Sequence, residues 1–292
     1  MLHPDLQIGA VFPQTEVAGD ADAARRIGAA VEDLGFDHLV AYDHVLGVEH
    51  ADRDPELWGP YEEDDPFHDP FVLFAHLAGR TERLSFLTGV LILPQRQTAL
   101  VARQAADLAI LSGGRFRLGV GVGWNWVEYD ALGQDFHTRG RRLDEQLALL
   151  GELWSAPVVT HDGRFDTIER AGVPPRPSSP PEIWVGGFGE AAFRRCARLG
   201  DGFVFAGGTQ AVLNGLDRLR VLADEAGRAR NLIGAEALFL ARKGTDDLRA
   251  KISAWADAGG THASVVTMGL GLDSVEAHVD YLGTVAEAIP AG

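Results

Sequence analysis

Eight times along the chain a short apolar run gives way to a segment of helical periodicity, and that rhythm leaves few folds open. The runs are Leu6–Phe12, Asp37–Tyr42, Leu84–Leu93, the glycine-rich Arg115–Gly123, Glu182–Val185, Gly202–Ala206, Ala235–Leu240 and His262–Val266. The helical segments that follow them are Ala21–Leu34, Pro70–Gly79, Thr98–Leu111, Phe136–Trp154, Glu190–Leu199, Gln210–Ala226, Asp246–Ala258 and Ser274–Ala288. Asp20 is placed to cap the first helix and Gly35 to close it. Strands alternating with helices imply parallel pairing, and eight such units in 292 residues fit a (β/α)8 barrel formed as one domain over residues 1–292. A doubly wound sheet is the alternative. Its G-x-G-x-x-G turn is missing, because Trp124 stands where the third glycine after Gly119 and Gly121 is needed.

Two stretches interrupt the rhythm. Val45–Asp69 has no periodicity, and a structureless loop of that length in a compact chain reads as a lid. Its acidic cluster Glu62–Asp65 reads as a solvated face. Ala156–Pro181 holds Asp162-Gly163, a hairpin signal between VVTH and RFDTI, and then the proline-rich VPPRPSSPP. We expect a hairpin and proline-rich insertion between the fourth helix and the fifth strand, and no domain boundary.

Charge and cysteine usage remove whole classes of function. A net charge of −16 argues against a nucleic-acid or anionic-membrane partner, either of which needs a basic surface. The chain has no apolar run long enough to span a bilayer, and its start, MLHPDLQIGA, lacks the basic-then-apolar order of a signal peptide. A single cysteine, Cys196, excludes an internal disulfide framework, and its helical setting reads as a small buried hydrophobe. A soluble, reduced, cytoplasmic protein is expected.

In a parallel barrel the chemistry sits at the carboxyl ends of the strands. Those ends read Phe12, Asp43-His44, Thr88-Gly89-Val90, Gly123-Trp124, Gly186-Gly187-Phe188 and Ala206-Gly207-Gly208-Thr209. There is no H-E-x-x-H, no phosphate-loop signature and no G-x-S-x-G, and the ten histidines are scattered. Glycine and aromatic residues with one histidine suit a planar cofactor better than a hydrolytic constellation. Glycine at 119, 121 and 123 weakens a strand, so clearing one face lets something flat approach the backbone. His44 is the best candidate for proton transfer, with a hydrogen-bonded hinge of the loop as its plainer reading. Asp43 reads as a candidate cofactor contact and equally as a turn residue capping the next segment. Gly186-Gly187 precede a helix, so their N–H groups can cradle a phosphate or simply make a strand–helix turn. Phe12, Trp124 and Trp126 can line a substrate pocket, and tryptophan at a barrel rim also serves plain packing.

Taken together, these residues resemble the luciferase-like monooxygenase superfamily, and within it the deazaflavin (coenzyme F420) dependent oxidoreductases. The resemblance runs nearly end to end. It is strongest in TGVLILPQRQTALVARQAADLAILSGGRFRLGVGVGWNWVEYDALG, in FHTRGRRLDEQLALLGELW and in PEIWVGGFGEAAFRRCARLGDGF. The resemblance implies a (β/α)8 barrel with an insertion, a homodimer, and hydride transfer between F420 and a small organic substrate. It implies that His44, after Asp43, is an active-site histidine beside the cofactor ring. Gly89-Val90 match a third-strand bulge, often a non-prolyl cis peptide, behind that ring. Gly121, Val122 and Gly123 match backbone contacts to the cofactor, and Gly186, Gly187 and Gly208 match its phosphate turns. The sugar-phosphate dehydrogenase branch has glutamate at Trp124 and lysine at Thr209, so a sugar phosphate is a poor fit and the acid partner of His44 is unassigned. The chain lacks the longer insertion of many FMN-dependent alkanesulfonate monooxygenases, which makes FMN with O2 the alternative to F420. A cofactor-free barrel lyase or isomerase needs a lysine or paired carboxylates at the strand ends, and these ends show neither; a non-catalytic binding protein would not need the three glycines.

Overall fold

The computed structural model describes residues 6–229 and 233–289, so the first half of the opening segment MLHPDLQIGA lies outside the described residues. Strand β1 (Gln7–Val11) is followed by the one-turn helix α1 (Gln14–Val17) and by α2 (Ala23–Asp33). Ala23, Ile27 and Val31, one turn apart on α2, make the stripe that packs inward. Strand β2 (His38–Ala41) leads through residues 45–69, which hold no helix or strand, to α3 (Pro70–Ala78). Pro70 in its first turn and the Asp69 carboxylate, accepting the Val72 N–H at 3.0 Å, start that helix. The strand expected over Leu84–Leu93 comes in two pieces, β3 (Ser85–Thr88) and β4 (Leu91–Ile92), divided by a cis peptide at Gly89–Val90.

Helix α4 (Thr98–Leu111) precedes β5 (Phe116–Gly121), and then comes α5 (Trp126–Ala131), a short helix absent from the sequence reading. The segment read as helical from Phe136 starts with a 3-10 turn over Phe136–Thr138 and continues as α6 (Arg139–Ser155). After it β6 (Val159–Asp162) and β7 (Thr167–Ala171) pair antiparallel as a separate hairpin. The rhythm then resumes as β8 (Glu182–Gly186), α7 (Glu190–Leu199), β9 (Gly202–Ala206) and α8 (Thr209–Glu225). It ends as β10 (Gly234–Leu240), α9 (Thr245–Asp257), β11 (His262–Val266) and α10 (Val275–Ala288).

The strands lie in the order β3-β2-β1-β11-β10-β9-β8-β5, and β3 also pairs with β5, so the sheet closes on itself. All these pairings are parallel, and β4 extends the β3 position along β5. The (β/α)8 barrel expected from the sequence is therefore present among the described residues.

Side chains fill the barrel interior. Val11, Val40, Leu87, Trp184, Val204, Leu238 and Val266 form an inner apolar cluster. The glycines around it make room for large neighbours: a Cβ on Gly234 would lie 2.5 Å from the Trp184 ring. Deeper in, His38 and Glu236 are wholly buried and meet at 2.9 Å, with Ser264 Oγ 3.0 Å from the same imidazole nitrogen. Burial alone would raise the Glu236 carboxyl, but the His38 imidazole and the nearby positive charge of Arg117 contribute to a combined pull that outweighs it and holds the group well below the ordinary value. Arg117 stacks on Trp184 at 4.8 Å. With the interior filled, a ligand has to be met at the strand ends.

Candidate active site at the carboxyl ends of the strands

The end of β2 delivers Tyr42, Asp43 and His44 in succession, and their environments differ sharply. Asp43 is buried, and both of its oxygens meet protein donors: Arg96 Nη2 at 2.6 Å and the Ile92 N–H at 2.9 Å. Burial raises its carboxyl above the ordinary range, and Arg96 and the Ile92 N–H offset only part of that. Asp43 thus fastens the end of β2 to β4, a positioning task that sequence alone left open between a turn residue and a cofactor contact.

His44 stands in an aromatic cage. Its ring centroid lies 4.9 Å from Phe67, 5.2 Å from Tyr61 and 5.5 Å from Trp124. Burial keeps the Tyr61 phenol neutral by pushing it up to about 12. Tyr61 and Phe67 come from the 45–69 loop, and Gly59 of the same loop sits so close to the Trp124 ring that a Cβ there would overlap it. The loop is therefore folded down over the barrel mouth. Its acidic residues Glu62, Glu63 and Asp64 are exposed, as a solvated face should be.

Behind His44 lies a residue that the sequence reading did not single out. Glu128 Oε1 is 3.5 Å from His44 Nδ1 and accepts the N–H groups of Val45 at 2.7 Å and Leu46 at 3.1 Å. Its Oε2 accepts from Gln95 Nε2 at 3.2 Å. A signal for it existed. Asn125 caps α5 by accepting the Val127 and Glu128 N–H groups, and Asn125-x-x-Glu128 has the spacing of a capping box. Here the glutamate turns across to the loop after β2 and not back to its own cap.

The glycine-rich face of β5 needs a correction. A Cβ on Gly119 would overlap the Thr88 carbonyl oxygen, one on Gly121 would lie 2.6 Å from Val90 Cγ2, and one on Gly123 would lie 2.9 Å from Ile92 Cγ2. Alternate residues 88, 90 and 92 of the neighbouring strand occupy the space that the three glycines vacate. The Thr88 hydroxyl donates to the Gly119 carbonyl at 2.6 Å and closes the fit. What approaches this face is therefore the broken third strand. Val90 is gripped on two sides, since a Cβ on Gly186 would lie 2.6 Å from its Cγ1. Val90 itself is half-buried at the top of the inner cluster. Val122 and Gly123 are half-buried, and the Val122 carbonyl accepts from Tyr129 Oη at 2.6 Å.

The three expected pocket residues differ in how open they are. Phe12 is wholly buried in the main core, with its ring 6.3 Å from His68 of the 45–69 loop. Trp126 is half-buried with its ring 5.9 Å from the Arg53 guanidinium, so it meets the loop that covers the barrel mouth. Trp124 does join His44.

The phosphate candidates fall where two helices begin side by side. Gly189 is the N-cap of α7 and Gly208 that of α8, and neither first turn has a side-chain cap. A Cβ on Gly189, Gly207 or Gly208 would meet nothing within 4 Å. Gly186 and Gly187 lead into the first of these turns. Glycine caps with open space beside them at the positive ends of two helices favour an anion. Among the described residues there is no cluster of His, Cys, Asp or Glu suited to a metal ion, and no helix long and apolar enough to cross a membrane. Cys196 is buried, its thiol pushed up to about 12 by burial, and takes no part.

A groove lies at the opposite end of the barrel, between the proline-rich residues 175–181 and Gln7, Ser85, Arg117 and His262. Parallel barrels carry their chemistry at the other end, where the histidine cage and the glycine turns are.

Comparison with known proteins agrees with the barrel fold. The family model described as luciferase-like monooxygenase matches residues 8–279. An uncharacterized protein of Mycobacterium tuberculosis is 41% identical over 223 residues, which is 74% of this chain and 77% of that protein. An F420-dependent glucose-6-phosphate dehydrogenase of Microbacterium testaceum is 30% identical over 212 residues, covering 70% of this chain and 59% of the relative's length. Among solved structures, an F420-dependent secondary alcohol dehydrogenase in complex with an F420–acetone adduct superposes with a TM-score of 0.80. It is 17% identical, with 97% of this chain and 99% of that one covered, a likeness of fold.

Proposed function

Because the chain belongs to the luciferase-like monooxygenase family, we propose that it is an oxidoreductase that moves a hydride between deazaflavin coenzyme F420 and a small organic substrate of little charge. The observation that carries this reading is the site itself. One imidazole, backed by a buried carboxylate, stands in an aromatic cage at the mouth of a filled barrel. The F420-dependent dehydrogenases among its relatives support the choice of cofactor.

The residues present fit such a group. The open, glycine-capped starts of α7 and α8 would hold its phosphate through backbone N–H groups at Gly186, Gly187 and Gly208. Val90, locked between Gly121 and Gly186, would give the ring a fixed apolar backing. When bound, the deazaflavin supplies a ring carbon that carries two electrons as hydride. Tyr61, Phe67 and Trp124 keep water from the reacting face. His44 gives or takes the accompanying proton. Walls of aromatic rings, and threonine at 209 where the sugar-phosphate branch has lysine, favour a neutral substrate over a phosphorylated one.

The test is titration of the purified protein with F420 and with FMN, followed by turnover of reduced F420 with small ketones and activated alkenes. Tight F420 binding and oxygen-independent turnover are expected. Tight FMN binding with oxygen-dependent turnover would replace this reading with the monooxygenase one, and binding of neither would end it.

A further inference from the structure

Glu128 is 1% exposed, and a carboxylate removed that far from water is costly unless donors surround it. Burial raises its carboxyl, but His44, the Leu46 N–H and Gln95 outweigh that and hold it below the ordinary range. It is an anion at neutral pH. The imidazole nitrogen facing it is Nδ1, at 3.5 Å. An anionic oxygen is a good partner for Nδ1–H and a poor one for the Nδ1 lone pair, so it selects between the two neutral tautomers of His44. Contacts of this kind are often long without substrate and tighten in the complex.

We propose that Glu128 is the positioning residue of this site: it holds His44 in the Nδ1–H tautomer, leaving Nε2 to exchange the proton with the substrate. Through the same oxygen, which also receives the Val45 and Leu46 N–H groups, it fixes the start of the 45–69 loop relative to that imidazole. The proposal rests on the reading of His44 as the proton-handling group. When Nε2 takes up a proton the ring becomes a cation facing the Glu128 carboxylate. The other groups around the ring do not compete. Phe67 and Trp124 carry no charge, Tyr61 is a neutral phenol, and the adjacent Asp43 is neutralised by Arg96 at 2.6 Å.

The experiment reads the tautomer directly, with no cofactor present. In protein labelled with 15N-histidine, the His44 signals are identified by their loss in His44→Ala and recorded at neutral pH. A protonated Nδ1 and an unprotonated Nε2 are expected in the wild type. In Glu128→Gln the ratio should move toward the Nε2–H form that a free histidine side chain favours. The same variant should lose kcat with reduced F420 by ~10–10⁴-fold, the upper end being the loss seen when an orienting carboxylate becomes an amide. F420 affinity should stay within about threefold, since the residue acts through another. An Nε2–H tautomer in the wild type overturns the proposal, and so does an unchanged ratio in a folded Glu128→Gln. If that variant does not fold, the wild-type spectrum alone decides. Absence of F420 binding would sink the proposed function, while the spectrum still tests the tautomer.

Discussion

The glycine at 121 offers a direct test of what the third and fifth strands do to each other. A Cβ placed there would lie 2.6 Å from Val90 Cγ2, whereas carbon atoms pack comfortably at about 3.5–4.0 Å. Val90 cannot turn away, because a Cβ on Gly186 would be 2.6 Å from its other methyl group. Gly121→Ala therefore overpacks a tight junction and should cost ~1–3 kcal/mol. Val90→Ala removes two methyl groups from a half-buried side chain, at about 1 kcal/mol. If the two changes were independent, the double variant would lose about 2–4 kcal/mol. One of the methyls removed at position 90, Cγ2, is the atom that the methyl added by Gly121→Ala strikes. The double variant should therefore lose only about 1 kcal/mol, a coupling of ~1–3 kcal/mol. Urea unfolding of the four proteins, followed by tryptophan fluorescence at unchanged m, measures this. Additivity within about 0.5 kcal/mol would refute it. If instead the glycine is kept for a ligand, Gly121→Ala should unfold at the wild-type urea concentration and lose only F420 affinity.

Three other outcomes are expected. His44→Ala should lower kcat with reduced F420 by ~10²–10⁴-fold at unchanged F420 affinity, and retained turnover would make His44 a loop residue only. Gly208→Asp puts a good capping residue where the backbone is already extended and a Cβ meets nothing. Stability should hold while the added charge raises the F420 Kd by ~10-fold or more, about 1.4 kcal/mol, and an unchanged Kd would move the phosphate elsewhere. His262 is held neutral down to about pH 2, by burial first and then by Arg117. Its unfolded form takes a proton below about pH 6.5 while the folded form does not, so stability should fall as pH drops through that window. The slope from this group is at most about 1.4 kcal/mol per pH unit, and His262→Gln should be flatter between about pH 6.5 and 4.5 by urea midpoint; identical slopes would refute the assignment.

The sequence determined the barrel and much of where to look on it. Apolar periodicity is a local property, so the strands, the helices and the strand-end residues His44, Trp124, Gly186, Gly187 and Gly208 were legible without any contact being known. The unperiodic stretch after His44 was legible as a loop for the same reason. Pairings between distant segments were not. Glu128 and the Val45 N–H are 83 residues apart, and nothing local to either announces the other. Asp43 read as a turn residue or a cofactor contact because its partners, Arg96 and the Ile92 N–H, arrive from the third unit. The glycines at 119, 121 and 123 signalled a close approach correctly, yet only barrel closure revealed that Thr88, Val90 and Ile92 are what approaches. A vacancy left by glycine is written in the chain that makes it; what fills it is set by the neighbouring strand, which the fold brings there.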